Sequence, residues 1–206
     1  MMNAMPNTPS PNAGQRGPRD DRGVVVGRIV DAARSSFAAN GWAGTSMRAI
    51  ARDAGVDPAL VHDYFASKED LLDAATQPPA EFLAAVRAAV SAPIEIRGET
   101  IVRNLLWLWS HPQVGDVLRS IVLTAAHEPR TAEKLRRVVT TSVLEGVAAE
   151  LDGEARLLRA SLVATQTLGL AMIRYVWRLE PIASLPEDEV VACIAPTIQR
   201  YLAGEL

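Results

Sequence analysis

The fold of this protein is decided by residues 44–72, which read GTSMRAIARDAGVDPALVHDYFASKEDLL. Within this stretch Ser46 is a favourable N-cap, because its hydroxyl can accept a hydrogen bond from the first turn of a helix. We therefore predict a short helix over Met47–Ala54. Gly55 ends this helix, since glycine adopts the backbone conformation of a tight turn at little cost.

A second short helix follows the glycine turn at once. Asp57 is its expected N-cap, Pro58 stands at its first position, and the helix is expected to end near Phe65. Helices of about eight residues are unstable alone in water, so both must pack on another helix. Two short helices joined by a glycine turn indicate a helix-turn-helix, which places its second helix in the major groove of DNA.

The supporting helix precedes this pair. Apolar side chains recur along Val24–Asn40 with the spacing of an amphipathic helix. These side chains are Val26, Ile29, Val30, Ala33 and Phe37. Gly41 is expected to cap the helix, with Trp42 packing back on it. A further helix is predicted to begin at Ser67, and we place the DNA-binding domain at residues 24–70.

The exposed side of the helix pair carries groups that suit DNA. Ser46 and the free N–H groups of its helix end can bind a phosphate, and Arg48 can reach phosphate or a guanine edge. His62 and Tyr64 project from the second helix, and Lys68 adds a point charge for phosphate. Each residue alone is better explained as an ordinary surface charge or as core cover. Their combination at these offsets favours DNA binding.

The same stretch resembles the DNA-binding domain of the TetR/AcrR family of transcriptional regulators. The resemblance covers about residues 27–75 and includes the preceding FAANGW at 37–42. It implies that Asp57–Phe65 is the recognition helix and that Tyr64 and Lys68 fall at phosphate-contact positions. The full set of expected DNA contacts is Thr45, Ser46, Arg48, Asp57, Ala59, His62, Asp63, Tyr64 and Lys68.

Two positions depart from the family pattern. The family usually has tyrosine where this chain has His62, and a neutral or basic residue where it has Asp63. His62 can still donate a hydrogen bond. Asp63 either faces solvent or accepts a hydrogen bond from a cytosine amino group. The operator sequence depends on which of these holds, whereas the DNA-binding role does not.

The remainder, residues 71–206, is predicted to be helical, so the expected fold class is all-α. The longest predicted helix covers 152–179, and the last begins at Ser184, where Glu187 completes a capping box. The family resemblance implies that this second domain binds a ligand and dimerises. The runs RYV at 174–176 and APT at 195–197 are similar to an actinobacterial-type C-terminal subgroup.

Wide apolar stripes on the two final helices predict a homodimer. A two-fold operator requires a two-fold protein, so we expect these helices to form a four-helix bundle with a second copy. The alternative is that the stripes pack only within one chain. The expected interface residues are Leu158, Leu162, Thr165, Leu168, Gly169, Val191, Ile194 and Ile198.

A pocket for an apolar or amphipathic small molecule is expected between the middle helices. Its expected lining is Trp107, Trp109, His111, Gln166, Met172 and Trp177. A ligand that favours a state with wrongly spaced recognition helices lowers DNA affinity. The family resemblance implies a repressor that binds a palindromic operator as a dimer and is released by a small apolar or amphipathic ligand. The alternative is a helical interaction adaptor without specific DNA binding.

Composition excludes several classes of protein. The 206 residues are 49% hydrophobic, which is enough for a core, and no run of about 18 uncharged apolar residues would span a membrane. Cys193 stands alone and is expected to be a buried, inert thiol. None of the three histidines has a metal-ligand spacing, and no phosphate loop or nucleophile elbow occurs. We therefore expect neither an enzyme nor a cofactor.

The N-terminal residues 1–23 are rich in proline and polar residues and are predicted to form a disordered tail. The tail lacks the apolar core of a secretory signal, so a cytoplasmic protein is expected. Arg16, Arg19 and Arg22 lie in it. They belong either to a solvated linker or to an arm that reaches DNA phosphates or the minor groove. The net charge of −3 does not exclude DNA binding, because a few basic side chains can lie at the specific helix positions that contact DNA.

Overall fold

The computed structural model describes residues 18–151 and 153–206, and the regular structure in this part of the chain is entirely helical. The predicted all-α class is thus confirmed. In chain order the helices are α1 (Pro18–Gly44), α2 (Met47–Ala54), α3 (Pro58–Tyr64), α4 (Lys68–Ala75), α5 (Ala80–Val90), α6 (Arg97–Ser110), α7 (Pro112–Ala125), α8 (Pro129–Val138), a first π-helix (Val139–Leu144), α9 (Glu145–Ala149), α10 (Arg156–Ala171), a second π-helix (Met172–Val176) and α11 (Glu187–Ala203).

Helix α1 is longer than predicted. It begins at Pro18 rather than Val24, so part of the predicted tail is helical. Residues 1–17, which include Arg16, lie outside the described residues. Near its other end Gly41 has a positive φ of 66°, which interrupts the helix. Trp42 then stacks on Phe37 with ring centroids 5.9 Å apart, as the sequence predicts.

The N-terminal core is built by α1 to α4. Ile29, Phe37, Ile50 and Val61 are almost fully buried in it, which joins the first three helices. Helix α4 adds Leu71, Leu72 and Ala75 to the same cluster. We therefore place the end of this domain after α4 rather than after residue 70.

The C-terminal core is centred on the crossing of α6 and α11. A Cβ atom at Gly98 would lie 2.8 Å from the backbone nitrogen of Gln199, so only glycine permits this close approach. The Gln199 side chain ties the two elements together. Its Oε1 accepts from the Gly98 N–H at 2.8 Å, and its Nε2 donates to the Ile94 carbonyl at 2.6 Å.

The hairpin between α6 and α7 is equally tight. Gly115 lies in the first turn of α7, where its N–H donates to the His111 carbonyl at 2.8 Å. A Cβ atom there would lie 2.3 Å from the Trp109 carbonyl oxygen. The His111 ring caps α7, because its Nδ1 accepts from the Val114 N–H at 3.4 Å. This cap fixes the ring at the hairpin.

The final helices differ from their predicted bounds. The predicted helix 152–179 begins at Arg156, loosens into the second π-helix and ends at Val176. Arg178, with a φ of 53°, cannot continue a helix. The predicted start of the last helix at Ser184 is also wrong. Its hydroxyl donates to the Glu180 carboxylate at 2.6 Å, and α11 begins at Glu187.

Two further expectations concern the burial of Cys193 and the absence of a membrane-spanning helix. Cys193 is exposed on α11, so the predicted burial of its thiol is wrong. Other apolar side chains of α11 are buried in the core. Among the residues that the structure covers, no helix combines the length and the apolar character that a membrane span requires.

Candidate nucleic-acid interface and internal cavity

Helix α2 begins as the sequence predicts. Ser46 has an extended backbone, and its Oγ accepts from the Ala49 N–H at 3.2 Å. The adjacent Thr45 is buried. Its hydroxyl donates to the Gly41 carbonyl at 2.8 Å and lies 3.2 Å from the Ser36 hydroxyl. The Thr45 side chain is thus turned into the protein, which corrects its place among the expected DNA contacts.

The turn between α2 and α3 is closed by backbone hydrogen bonds. Gly55 adopts the left-handed conformation, with φ 64° and ψ 41°. Its N–H donates to the Arg52 carbonyl at 3.1 Å, and the Val56 N–H donates to the Ala51 carbonyl at 2.9 Å. This paired pattern is a Schellman motif, which satisfies the carbonyls at the end of α2. It sets the direction in which α3 leaves the turn.

Arg28 of α1 holds the same turn from the outside. Its Nε donates to the Ala54 carbonyl at 3.1 Å, its Nη2 donates to the same oxygen, and Nη2 also donates to the Gly55 carbonyl at 2.9 Å. A cation at a helix C-terminus is favoured by the helix dipole. This role of Arg28 could not be predicted from the sequence, because the contact spans 26 residues and has no local sequence signal.

Helix α3 presents a small outward face. Asp57 caps the helix, with its Oδ1 accepting from the Ala59 N–H at 2.8 Å, and Val61 is buried in the N-terminal core. Ala59, His62 and Asp63 are exposed. Since they are spaced i, i+3 and i+4, they share one side of the helix. This face offers a methyl group, an imidazole and a carboxylate.

The remaining expected contacts have different surroundings. Arg48 is exposed near the start of α2 and makes no ion pair within the described residues. Tyr64 is half-buried against the N-terminal core. The Lys68 Nζ donates to the Trp42 carbonyl and lies 4.2 Å from the centroid of the Trp42 ring. Lys68 thus ties α4 to the end of α1.

The C-terminal domain contains an apolar cavity in two adjoining parts of about 270 and 110 Å³. Both parts are lined by Phe82, Leu105, Trp109, Val143 and Thr167. The first π-helix forms part of its wall. Among the described residues, no charged side chain lines either part. The few polar groups already bond within the fold: the Thr167 hydroxyl donates to the Val163 carbonyl at 3.0 Å, and the Asn104 amide donates to the Ala85 carbonyl at 3.0 Å.

Of the six residues predicted to line a pocket, only Trp109 lines this cavity. Trp107 and Trp177 are 50% and 60% exposed, so they lie on the surface. His111 caps α7, as described above. Gln166 and Met172 are half-buried and are not among the lining residues. The cavity is lined mainly by aliphatic side chains instead.

Comparison with known proteins decides the family. Residues 29–75 match the model of the bacterial regulatory proteins of the tetR family, and residues 95–202 match the tetracyclin repressor-like C-terminal domain. The chain belongs to the TetR family of transcriptional regulators. It is thus a DNA-binding helix-turn-helix regulator of a non-enzymatic family, and the alternative of an adaptor without DNA binding is set aside.

Two relatives support this assignment, and a third solved structure shares the fold. The HTH-type transcriptional regulator BetI of Rhizobium meliloti is 32% identical over 148 residues, which cover 61% of this chain and 73% of BetI. A TetR-family regulator from Streptomyces coelicolor A3 is 35% identical, with a TM-score of 0.63 over 92% of this chain and 99% of that one. A transcriptional regulator from Rhodococcus sp. Rha1 has a TM-score of 0.64 over 87% and 96% of the two chains. At 22% identity it shows the fold alone.

In this TetR-family chain the expected interface residues divide by exposure into three sets. Leu158, Thr165, Leu168 and Gly169 are exposed on α10. Leu162 and Ile194 are half-buried. Val191 and Ile198 are 5% and 0% exposed, because they face the C-terminal core of their own chain. Those two residues are therefore corrected from interface to core positions.

Proposed function

We propose that this TetR-family protein is a repressor that binds a two-fold DNA operator as a homodimer and is released by a small apolar ligand. The outward face of α3, with Ala59, His62 and Asp63, carries the proposal for base reading. Methyl, donor and carboxylate groups pair respectively with a thymine methyl, a purine acceptor and a cytosine amino group. Arg48 and the N–H groups after Ser46 supply phosphate contacts next to it.

The dimer is supported by an unpartnered apolar stripe on α10. Leu157 and Leu158 are each 57% exposed, and Leu168 is 51% exposed. Leu158, Thr165 and Leu168 follow one another at helical spacing. An apolar surface of this kind on a regulator fits a protein–protein interface better than solvent. A second copy of the same helix would cover it about a two-fold axis.

The ligand class is inferred from the cavity. Its walls are apolar, they hold no charged group, and their threonine and asparagine donors are already used. Burying an ionised ligand there without a partner would cost several kcal/mol. An uncharged, mainly hydrocarbon molecule with few hydrogen-bonding groups is therefore the favoured effector.

A route from the cavity to the DNA-binding domain runs through α8. Leu135 of α8 lines the cavity, and the neighbouring Lys134 donates to the Asp73 carbonyl at 2.7 Å and to the Thr76 hydroxyl at 3.3 Å. Burial lowers the pKa of Lys134, and the Asp73 carboxylate partly opposes this. A ligand that moves α8 would thus act on the end of α4. Such a ligand shifts the equilibrium between DNA-binding and DNA-free states.

Selection of bound DNA from a random pool tests the operator proposal. We expect an inverted repeat with two half-sites about one helical turn apart. Arg48→Ala should weaken binding to the selected site at least about tenfold, since it removes one charged contact per half-site. Arg87→Ala, which removes an exposed arginine of α5, is the control and should bind as the parent does. Equal affinity for Arg48→Ala and the parent would withdraw the contact assigned to Arg48.

The fluorescent probe N-phenyl-1-naphthylamine tests the cavity, because it is uncharged and mainly hydrocarbon. We expect the parent to bind it and Ala164→Phe to bind it at least about tenfold more weakly, since the new ring fills space next to the lining residue Ala164. Ala84→Phe places the same ring on the exposed side of α5 and serves as control. Undiminished binding by Ala164→Phe would show that the probe occupies another place.

A further inference from the structure

The helix-turn-helix has few cations left for DNA. Arg28 holds the carbonyls at the turn, Arg34 donates to the Ala75 carbonyl at 2.9 Å, and Lys68 is held by Trp42. Arg52 is paired with Asp53 at 3.1 Å. Since these groups serve the fold or a neighbouring carboxylate, Arg48 alone stands exposed without a pair among the described basic residues of 28–68.

The recognition helix does not make up this shortage. Asp57 and Asp63 are its charged side chains, and both are exposed carboxylates. Phosphate contacts supply much of the affinity of DNA-binding proteins, and each contact needs a donor or a cation. Further positive charge must therefore approach the DNA from beside α3.

The early turns of α1 lie in the right place. Helix α1 starts at Pro18, whereas the match to the family's DNA-binding domain starts at residue 29. This extension adds about 16 Å of helix at 1.5 Å per residue. Arg22, Gly23 and Val26 of the extension line a surface depression together with Leu60, Asp63 and Tyr64 of α3. Arg22 is exposed at this depression.

We propose that Arg22 binds a DNA phosphate beside the half-site that α3 reads, so that the extension of α1 forms a second part of the DNA interface. The proposal rests on DNA binding through α3. Arg22 lines the same depression as Asp63, so its charge offsets the repulsion between that carboxylate and the DNA backbone.

The test compares salt dependence for the parent, Arg22→Ala, Arg22→Lys and the control Arg87→Ala on one selected operator. Each lost phosphate contact should reduce the slope of log K against log salt by about 0.9, so Arg22→Ala, which removes one contact per half-site, should reduce it by about 1.8 and weaken binding about sixtyfold at 0.1 M salt. Arg22→Lys should retain most of the slope, because it retains the charge. Ethylation interference should locate a phosphate whose modification harms the parent but not Arg22→Ala.

The outcomes separate this inference from the proposed function. If the parent selects no DNA sequence, the proposed operator binding fails. If the parent binds and Arg22→Ala shows the same affinity and slope, the inference about Arg22 is overturned while operator binding stands. A loss of affinity with an unchanged slope also overturns it, because such a loss does not come from a phosphate contact. Circular dichroism of each variant excludes unfolding as the cause.

Discussion

Leu168→Glu is expected to turn the proposed homodimer into a monomer and to weaken operator binding at least about a hundredfold. Leu168 is 51% exposed on the stripe that we assign to the interface. Two copies of a carboxylate would be buried near a two-fold axis, where neither has a partner and each repels the other. Sedimentation equilibrium checks the mass against 22.2 kDa for one chain and twice that value for two.

Because Leu168 also lines the cavity, a second variant is needed to isolate the interface. Leu158→Glu places the same charge at a residue that is 57% exposed and does not line the cavity, and it should give the same monomer. Ala88→Glu adds the charge to the exposed side of α5 and should remain dimeric. If both leucine variants sediment as dimers, the dimer does not use α10.

Gly115→Ala is expected to lower the free energy of unfolding by about 3 kcal/mol, at the upper end of the range for overpacked sites. The new methyl group would lie 2.3 Å from the Trp109 carbonyl oxygen, which belongs to the backbone and cannot rotate away. For a chain of this size such a loss corresponds to a fall in Tm of about 6–12 °C. Thermal unfolding followed by circular dichroism measures it.

Gly27→Ala is the matched control for this prediction. Gly27 lies within α1, and a Cβ atom there would have no neighbour within 4 Å. Alanine should stabilise this helix by about 0.5–1 kcal/mol, because glycine has the greater freedom to lose on folding. A Gly115→Ala protein as stable as the parent would mean that α6 and α7 can separate at their hairpin without cost.

Local signals predicted the helix-turn-helix well. Ser46, Asp57 and Ser67 each accept a hydrogen bond from the backbone two or three residues later, as their sequence positions indicate. Caps of this kind depend on a few adjacent residues, so a single sequence reveals them. The positive φ of Gly55 has the same local origin.

The C-terminal domain was harder to predict because its features depend on distant residues. An apolar stripe on α11 does not tell which partner covers it, and Ile198 turned out to face its own chain. The cavity is lined largely by aliphatic side chains such as Leu118, Ile121 and Val143, which sequence alone cannot distinguish from core. The tryptophans were predicted to contact a ligand, yet Trp107 lies on the surface.

The hydrogen bonds from Arg28 to the turn separate the scaffold from the reading surface. The direction of α3 is set by Arg28, the Gly55 turn and the buried Val61, none of which belongs to the outward face. Ala59, His62 and Asp63 can therefore be exchanged without disturbing the helix that carries them. If this face reads the operator as we propose, duplicated copies of the gene would acquire new operators by changing these three positions while keeping one inherited framework.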